Sequence, residues 1–92
     1  MSELADTARP VIRRGLKLQW EQAQNAYVLL YPEGQLLLNQ SAAEILKRCD
    51  GVRTLADIIA DIERTHSLSG IGADVVAFVQ MALEQRWVEV HA

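Results

Sequence analysis

The spacing of hydrophobic residues changes once along this chain, from alternation before about residue 40 to helical spacing after it. Leu16, Leu18 and Trp20 alternate with polar residues, and this period of two predicts a half-buried strand. From Ala42 onward, apolar residues recur at intervals of three and four, which is the period of one helical face. Strands followed by helices predict an α+β domain.

A β-hairpin is predicted on either side of Pro32-Glu33-Gly34. Residues 27–31 are an apolar, β-prone run, which predicts a strand covered on both faces. Proline presets φ at the start of a turn, and glycine tolerates the positive φ that closes a short hairpin. Residues 35–39 are therefore predicted to return antiparallel, and the strand around residues 16–20 completes a three-stranded sheet.

Three helices are predicted after the hairpin. The first has two candidate starts, because Ser41 and Glu44 have the spacing of a capping box and Asn39 is a competing cap. Its end is predicted at Gly51, a natural left-handed stop. The second begins at Thr54, which has an acidic residue three positions on.

The third helix is predicted over about residues 71–85, and residues 86–90 alternate again as a short final strand. Residues 1–9 are polar and small, which predicts a flexible tail, and residues 10–92 form one domain. The predicted fold is a small winged helix-turn-helix-like α+β domain, with an N-terminal antiparallel three-stranded sheet followed by three helices.

Side chains able to support catalysis or bind metal are scattered. His66 and His91 lie far apart, and neither has a Cys or His partner at metal spacing. Cys49 lies on the apolar stripe of the first helix, so we expect a buried structural cysteine. No Gly-rich phosphate loop is present. We therefore expect no enzyme, no catalytic residue, no metal site and no cofactor.

Charge disfavours nucleic acid as a partner. The formal net charge is -3, and residues 71–85 carry Asp74 and Glu84 but no Lys or Arg, which a DNA-recognition helix needs. A DNA-binding winged-helix regulator remains an alternative on fold alone. Neither a signal-peptide pattern nor an apolar run of ~20 residues is present, so we expect no membrane and a cytoplasmic location.

The apolar surface of the third helix is wider than one face. One apolar stripe contains Ile71, Val75, Phe78 and Ala82. A second stripe beside it contains Val76, Val79 and Leu83. This surface can belong to the core and a dimer contact, which would make the protein a homodimeric scaffold. It can also be a peptide groove, assisted by a sheet edge at residues 35–39 to which an extended peptide adds a strand. The pattern alone leaves both open.

Several segments, in this order, resemble the pyrroloquinoline quinone biosynthesis protein D (PqqD) family. They include Pro32-Glu33-Gly34, Cys49-Asp50-Gly51-Val52-Arg53-Thr54 and the ending Arg86-Trp87-Val88. The family ending often carries Gly before the Trp, where this chain has Arg86. The resemblance covers about residues 9–90.

The resemblance implies a peptide chaperone. Members of this family bind the ribosomally made precursor peptide PqqA and present it to the radical SAM enzyme PqqE, in an early step of pyrroloquinoline quinone (PQQ) biosynthesis. The family is also the prototype of a recognition domain, the RiPP recognition element, in which the peptide adds a strand to the sheet edge and lies against the third helix. Carried over to this chain, the implied peptide-binding residues are Leu36, Leu37, Leu38, Val75, Phe78, Val79 and Ala82.

The Cys-Asp-Gly segment has two interpretations. One is structural: a helix end, a turn and the cap of the next helix at Thr54. The other is that Asp50, Gly51 and Arg53 contact the modifying enzyme.

Overall fold

The computed structural model describes residues 4–91, which form two antiparallel sheets and three helices. In chain order the elements are β1 (Arg9–Ile12), β2 (Lys17–Glu21), β3 (Ala26–Tyr31), β4 (Gly34–Leu37), α1 (Gln40–Leu46), α2 (Leu55–His66), α3 (Gly72–Glu84) and β5 (Val88–His91). The larger sheet has the order β2-β3-β4, and β1 pairs with β5. The predicted α+β class, three-stranded sheet and three following helices are confirmed.

The central strand β3 is buried on both faces, as predicted. Val28 and Leu29 are adjacent, point to opposite faces and are both 0% exposed. Leu29 belongs to the main core, together with buried residues of all three helices. The predicted hairpin is confirmed and closes at the pair Tyr31 and Gly34. Gly34 is the first residue of β4 and does not have the positive φ expected of it, so the turn itself consists of Pro32 and Glu33.

Helix α1 begins at the second of its two predicted starts and ends earlier than predicted. Asn39 is its N-cap and accepts the Ala42 N–H at 2.8 Å, so the capping box at Ser41 is wrong and β4 ends at Leu37, short of residue 39. The helix ends at Leu46, well before Gly51, in a tighter turn in which Cys49 N–H bonds the Leu46 carbonyl.

Strand β1 was not predicted, because it is four residues long and shows no alternation that stands out. Its partner β5 lies at the other end of the chain, so no local hairpin signal marks the pair. Arg9, assigned to the predicted tail, is paired with His91. The carbonyls of Asp6 and Ala8 accept backbone N–H bonds from the first turn of α2. Residues 1–3 of the predicted tail lie outside the described residues.

Helix α2 has the start that its sequence predicted. Thr54 accepts the Asp57 N–H at 3.1 Å, and the Asp57 carboxylate accepts the Thr54 N–H at 3.2 Å. This reciprocal capping box satisfies two N–H groups that the helix itself cannot. The buried face of the helix carries Leu55, Ile58 and Ile62.

Helix α3 ends in a Schellman motif with a non-glycine residue at its left-handed position. Trp87 N–H bonds the Ala82 carbonyl at 2.8 Å, and Arg86 N–H bonds the Leu83 carbonyl at 3.1 Å. Arg86 has φ 65, a conformation that disfavours residues with a Cβ atom. The left-handed position, at which the resemblance implies Gly, is therefore occupied by Arg in this chain.

Replacing Arg86 with Gly is expected to raise the free energy of unfolding by about 0.5–1 kcal/mol, because Gly relieves the left-handed strain but gains entropy when unfolded. Urea unfolding followed by circular dichroism should show a higher midpoint and an unchanged slope. Gln85→Gly is the matched control, since Gln85 has φ -80 and its replacement should destabilise the helix end. Equal effects of the two substitutions would contradict this account.

Candidate functional site

A groove of about 720 Å³ opens between the three helices. Its floor is formed by the buried apolar residues Ala42, Ile45, Ile62 and Val75. Its walls carry the apolar side chains Leu68, Ile71, Phe78 and Met81. Its polar rim consists of Asn39, Gln40, Ser41, Glu44, His66 and Asp74. The groove is therefore apolar inside and polar at its margin, as in sites that bind amphipathic partners.

Strand β4 is an open edge of the three-stranded sheet. Leu38 N–H, just beyond the strand, bonds the Tyr27 carbonyl at 3.0 Å. Because hydrogen-bonding direction alternates along an antiparallel strand, Leu36 also faces β3, whereas Gln35 and Leu37 direct their N–H and C=O groups away from it. The backbone groups of Gln35 and Leu37 are thus available to a further strand.

The open edge leads directly into the groove. Two residues separate Leu37, the last residue of β4, from Gln40, the first residue of α1, and Asn39 and Gln40 lie on the groove rim. An extended chain paired with β4 would therefore reach the groove without a gap.

The opposite edge, β2, is a poorer template for strand addition. It carries Lys17 and Glu21, whereas β4 has the uncharged sequence Gly34-Gln35-Leu36-Leu37. Charged side chains on an edge strand discourage pairing with a further strand. Of the two edges of the sheet, β4 is therefore the better template for an added strand.

The structure divides the predicted peptide-binding residues between groove, sheet and core. Val75 and Phe78 line the groove. Val79 and Ala82 are 1% and 0% exposed, belong to the core and do not line the groove.

In β4 and just after it, the three predicted leucines also differ. Leu37 is 58% exposed, Leu36 is half-buried against the core, and Leu38 is 6% exposed within it. Only Leu37 therefore presents its side chain openly, although Leu36 shares the open strand.

Sequence reasoning missed most of the groove outside α3. Leu68 lies in the loop between α2 and α3, and Asn39 to Ser41 form the start of α1. These segments come together only in the fold. One signal was present: Ile71, Asp74 and Phe78 are spaced by three and four residues, and all three line the groove.

An ion network behind the groove ties α1 to α2 through Arg48, which is 9% exposed. The Arg48 guanidinium donates to the Glu44 carboxylate at 2.8 Å, to its carbonyl at 2.8 Å and to Asp61 at 2.6 Å. Arg64 also pairs with Asp61. On the groove side, His66 Nε2 lies 3.2 Å from the Glu44 carboxylate.

Burial alone would raise the pKa of Glu44, but hydrogen bonds from Arg48, His66 and Lys47 outweigh it and lower the pKa to about 2. The Arg48 hydrogen bond also lowers the pKa of Asp61. A carboxylate whose pKa is depressed in the folded state stabilises the fold above its unfolded pKa. For Glu44 that contribution is complete above about pH 4.5 and is lost as the pH falls towards about 2.

The Cys-Asp-Gly segment lies beside β1 and is hydrogen-bonded to its backbone. Burial, together with the Asp50 charge, raises the pKa of Cys49 to about 12, and its thiol donates to the Ile45 carbonyl at 3.3 Å. Cys49 is 4% exposed, which confirms the expected buried structural cysteine.

Asp50 closes the turn that follows Cys49. Its carboxylate accepts the N–H groups of Val52 and Arg53, both at 2.9 Å, and Gly51 has φ 80. The positive φ favours glycine at this position, and a Cβ there would also crowd Val11 and His91, both at 3.3 Å. These contacts agree with the structural interpretation, and none of the three residues Asp50, Gly51 and Arg53 lines the groove.

Within residues 4–91, no three His, Cys, Asp or Glu side chains come together in a way that would hold a metal ion. Across the same residues, no helix has both the length and the apolar character to cross a membrane.

These features define a class of small α+β domain in which an open sheet edge runs into an apolar groove between three helices. The chain belongs to the PqqD family: the family model for coenzyme PQQ synthesis protein D (PqqD) matches residues 26–88.

Relatives of similar length share about half of its sequence. The chain is 50% identical over 92 residues to a PqqA binding protein of Stutzerimonas stutzeri (strain A1501), with 99% of this chain and 100% of the relative covered. It is 49% identical over 92 residues to the PqqA binding protein of Azotobacter vinelandii (strain DJ), with the same coverage.

The fold is also similar to a solved structure. A solution NMR structure of the PqqD truncation of Methylobacterium extorquens PqqCD matches with a TM-score of 0.73 and 29% identity, over 87% of each chain. That truncation is described as a functional, stand-alone RiPP recognition element.

Proposed function

We propose that this chain is a peptide chaperone of PQQ biosynthesis that binds the precursor peptide PqqA along β4 and in the groove. The observation that carries the proposal is the continuity between the open edge and the apolar groove. The names of the relatives identify PqqA as the peptide.

The two parts of the site would make different contributions. Main-chain hydrogen bonds to Gln35 and Leu37 would hold the peptide extended and are insensitive to its sequence. The groove would select apolar side chains, which contact Phe78, Met81 and Leu68. Within the predicted set, Leu37, Val75 and Phe78 would contact the peptide, whereas Val79 and Ala82 would support α3 from the core.

The proposal includes presentation of PqqA to the radical SAM enzyme PqqE, with no catalysis by this chain. A buried thiol with a raised pKa is a poor nucleophile, in keeping with a binding role. Arg53 and the 74%-exposed Val52 protrude from a turn outside the groove, so they would be free to contact the enzyme while the peptide is bound. We also propose that the chain acts in the cytoplasm.

Two alternatives are less well supported. For DNA binding, α3 offers Asp74 and Glu84 and no cation. A homodimer through β4 would use the same open edge and would therefore compete with the peptide. Sedimentation with and without PqqA would reveal such competition.

Titration of the chain with PqqA, followed by calorimetry, tests the proposal. Met81→Glu is expected to weaken binding about tenfold, because it places a charge on an apolar wall that the peptide would desolvate. Met81 lines the groove but is not part of the core cluster, so the fold should survive.

Ala73→Glu is the matched control: it adds the same charge to the same helix at an exposed position outside the groove. The proposal fails if the wild-type chain does not bind PqqA with or without PqqE. The groove assignment fails if the two variants weaken binding equally.

A further inference from the structure

We infer that Asp74 is a specificity-determining residue that selects a peptide carrying a Lys or Arg beside an apolar anchor. The inference rests on the proposed function and adds the chemical class of side chain that the groove accepts. It begins from the ionisable side chains on the groove rim, which are Glu44, Asp74 and His66.

Glu44 is already neutralised by the protein. Arg48 and Lys47 contact its carboxylate at 2.8 and 3.1 Å, and His66 lies at 3.2 Å. These three partners occupy most of the acceptor positions of the carboxylate, so a peptide cation would have to compete with them. Glu44 is therefore a structural charge, and His66 is held by it.

Asp74 has no such partner. It is exposed in the first turn of α3, and none of the residues from 4 to 91 forms an ion pair or hydrogen bond with its carboxylate. Among the residues that the structure describes, neither Lys nor Arg lines the groove. The rim thus carries one uncompensated negative charge, which complements a cationic partner and repels an acidic one.

The position of Asp74 on α3 indicates which peptide side chain would lie next to the Lys or Arg. Ile71, Asp74 and Phe78 follow each other at intervals of three and four residues and lie on the groove side of the helix. A Lys or Arg side chain has an apolar stem that can lie on Ile71 or Phe78 while its charged end reaches Asp74. The same stretch of peptide would place an apolar side chain deeper in the groove, against Met81 and the floor.

The test compares Asp74→Asn with Glu84→Gln, each titrated with PqqA and with PqqA variants in which single Lys or Arg residues are changed to Gln. Glu84 is the other charged residue of α3, is exposed and does not line the groove, so both substitutions change the net charge equally. Asp74→Asn is expected to weaken PqqA binding about three- to fivefold at low salt and less at high salt. Glu84→Gln should leave affinity nearly unchanged.

One peptide variant should bind wild type and Asp74→Asn equally, which would identify the basic residue that Asp74 contacts. Equal effects of the Asp74 and Glu84 substitutions would overturn the inference, as would a loss of affinity that persists with every peptide variant. A wild-type chain that binds PqqA normally while Asp74→Asn has no effect would refute only this inference. Absence of PqqA binding by the wild type would refute the proposed function as well.

Discussion

Replacing Arg48 with Met is expected to lower the free energy of unfolding by about 3 kcal/mol, a large share of the 5–15 kcal/mol typical of a small domain. Methionine keeps most of the apolar stem but removes the cation that Glu44 and Asp61 share. The two carboxylates would then face each other across the contact between α1 and α2 without their common partner. Urea unfolding measures the loss.

Arg64→Met is the matched control for this prediction. Arg64 contacts the same Asp61, but its side chain is 73% exposed, so solvent can replace the contact and the change in stability should be much smaller. The acid dependence provides a second readout. Wild-type stability should decline as the pH falls from about 4.5 towards 2, while Glu44 is protonated, and Arg48→Met should show a shallower decline.

Similar losses for Arg48→Met and Arg64→Met would show that the network behaves as an ordinary surface cluster. An unchanged acid profile in Arg48→Met would mean that Lys47 and His66 alone hold the pKa of Glu44 down. Either result would contradict the role of Arg48 as the link between α1 and α2.

Local signals predicted the part of the fold that local interactions determine. The hairpin at Pro32-Glu33-Gly34 and the α2 cap at Thr54 depend on residues close in sequence, and both predictions are confirmed. Strand β1 depends on a partner at the far end of the chain, so its four residues carried no recognisable pattern. The buried position of Arg48 was not predicted, because its two carboxylate partners meet only when α1 packs on α2.

The same distinction applies to the candidate site. The wide apolar arc of α3 was visible in the sequence, but periodicity does not reveal which neighbouring element covers each stripe. Val79 and Ala82 are covered by the core, whereas Phe78 and Met81 border the groove. Loop and cap residues such as Leu68 and Asn39 join the groove through tertiary packing, for which a single sequence provides no period to follow.

Leu37→Pro is expected to weaken PqqA binding about 30-fold while leaving the fold intact. Leu37 N–H points away from β3, so proline there removes a donor available to an added strand and none that the sheet uses. Loss of that main-chain bond, with the proline ring obstructing the edge, corresponds to about 2 kcal/mol of binding free energy. Calorimetric titration measures the affinity, and urea unfolding checks the fold.

Leu37→Ala distinguishes the contribution of the Leu37 backbone N–H to PqqA affinity from that of its side chain. It keeps the N–H and removes most of a side chain that is 58% exposed, so it should weaken binding several-fold less than proline does. Leu36→Pro is the complementary control, because the Leu36 N–H faces β3 and its loss should destabilise the sheet itself. If Leu37→Pro binds PqqA as tightly as Leu37→Ala, the peptide does not pair with β4, and the helical groove alone must hold it.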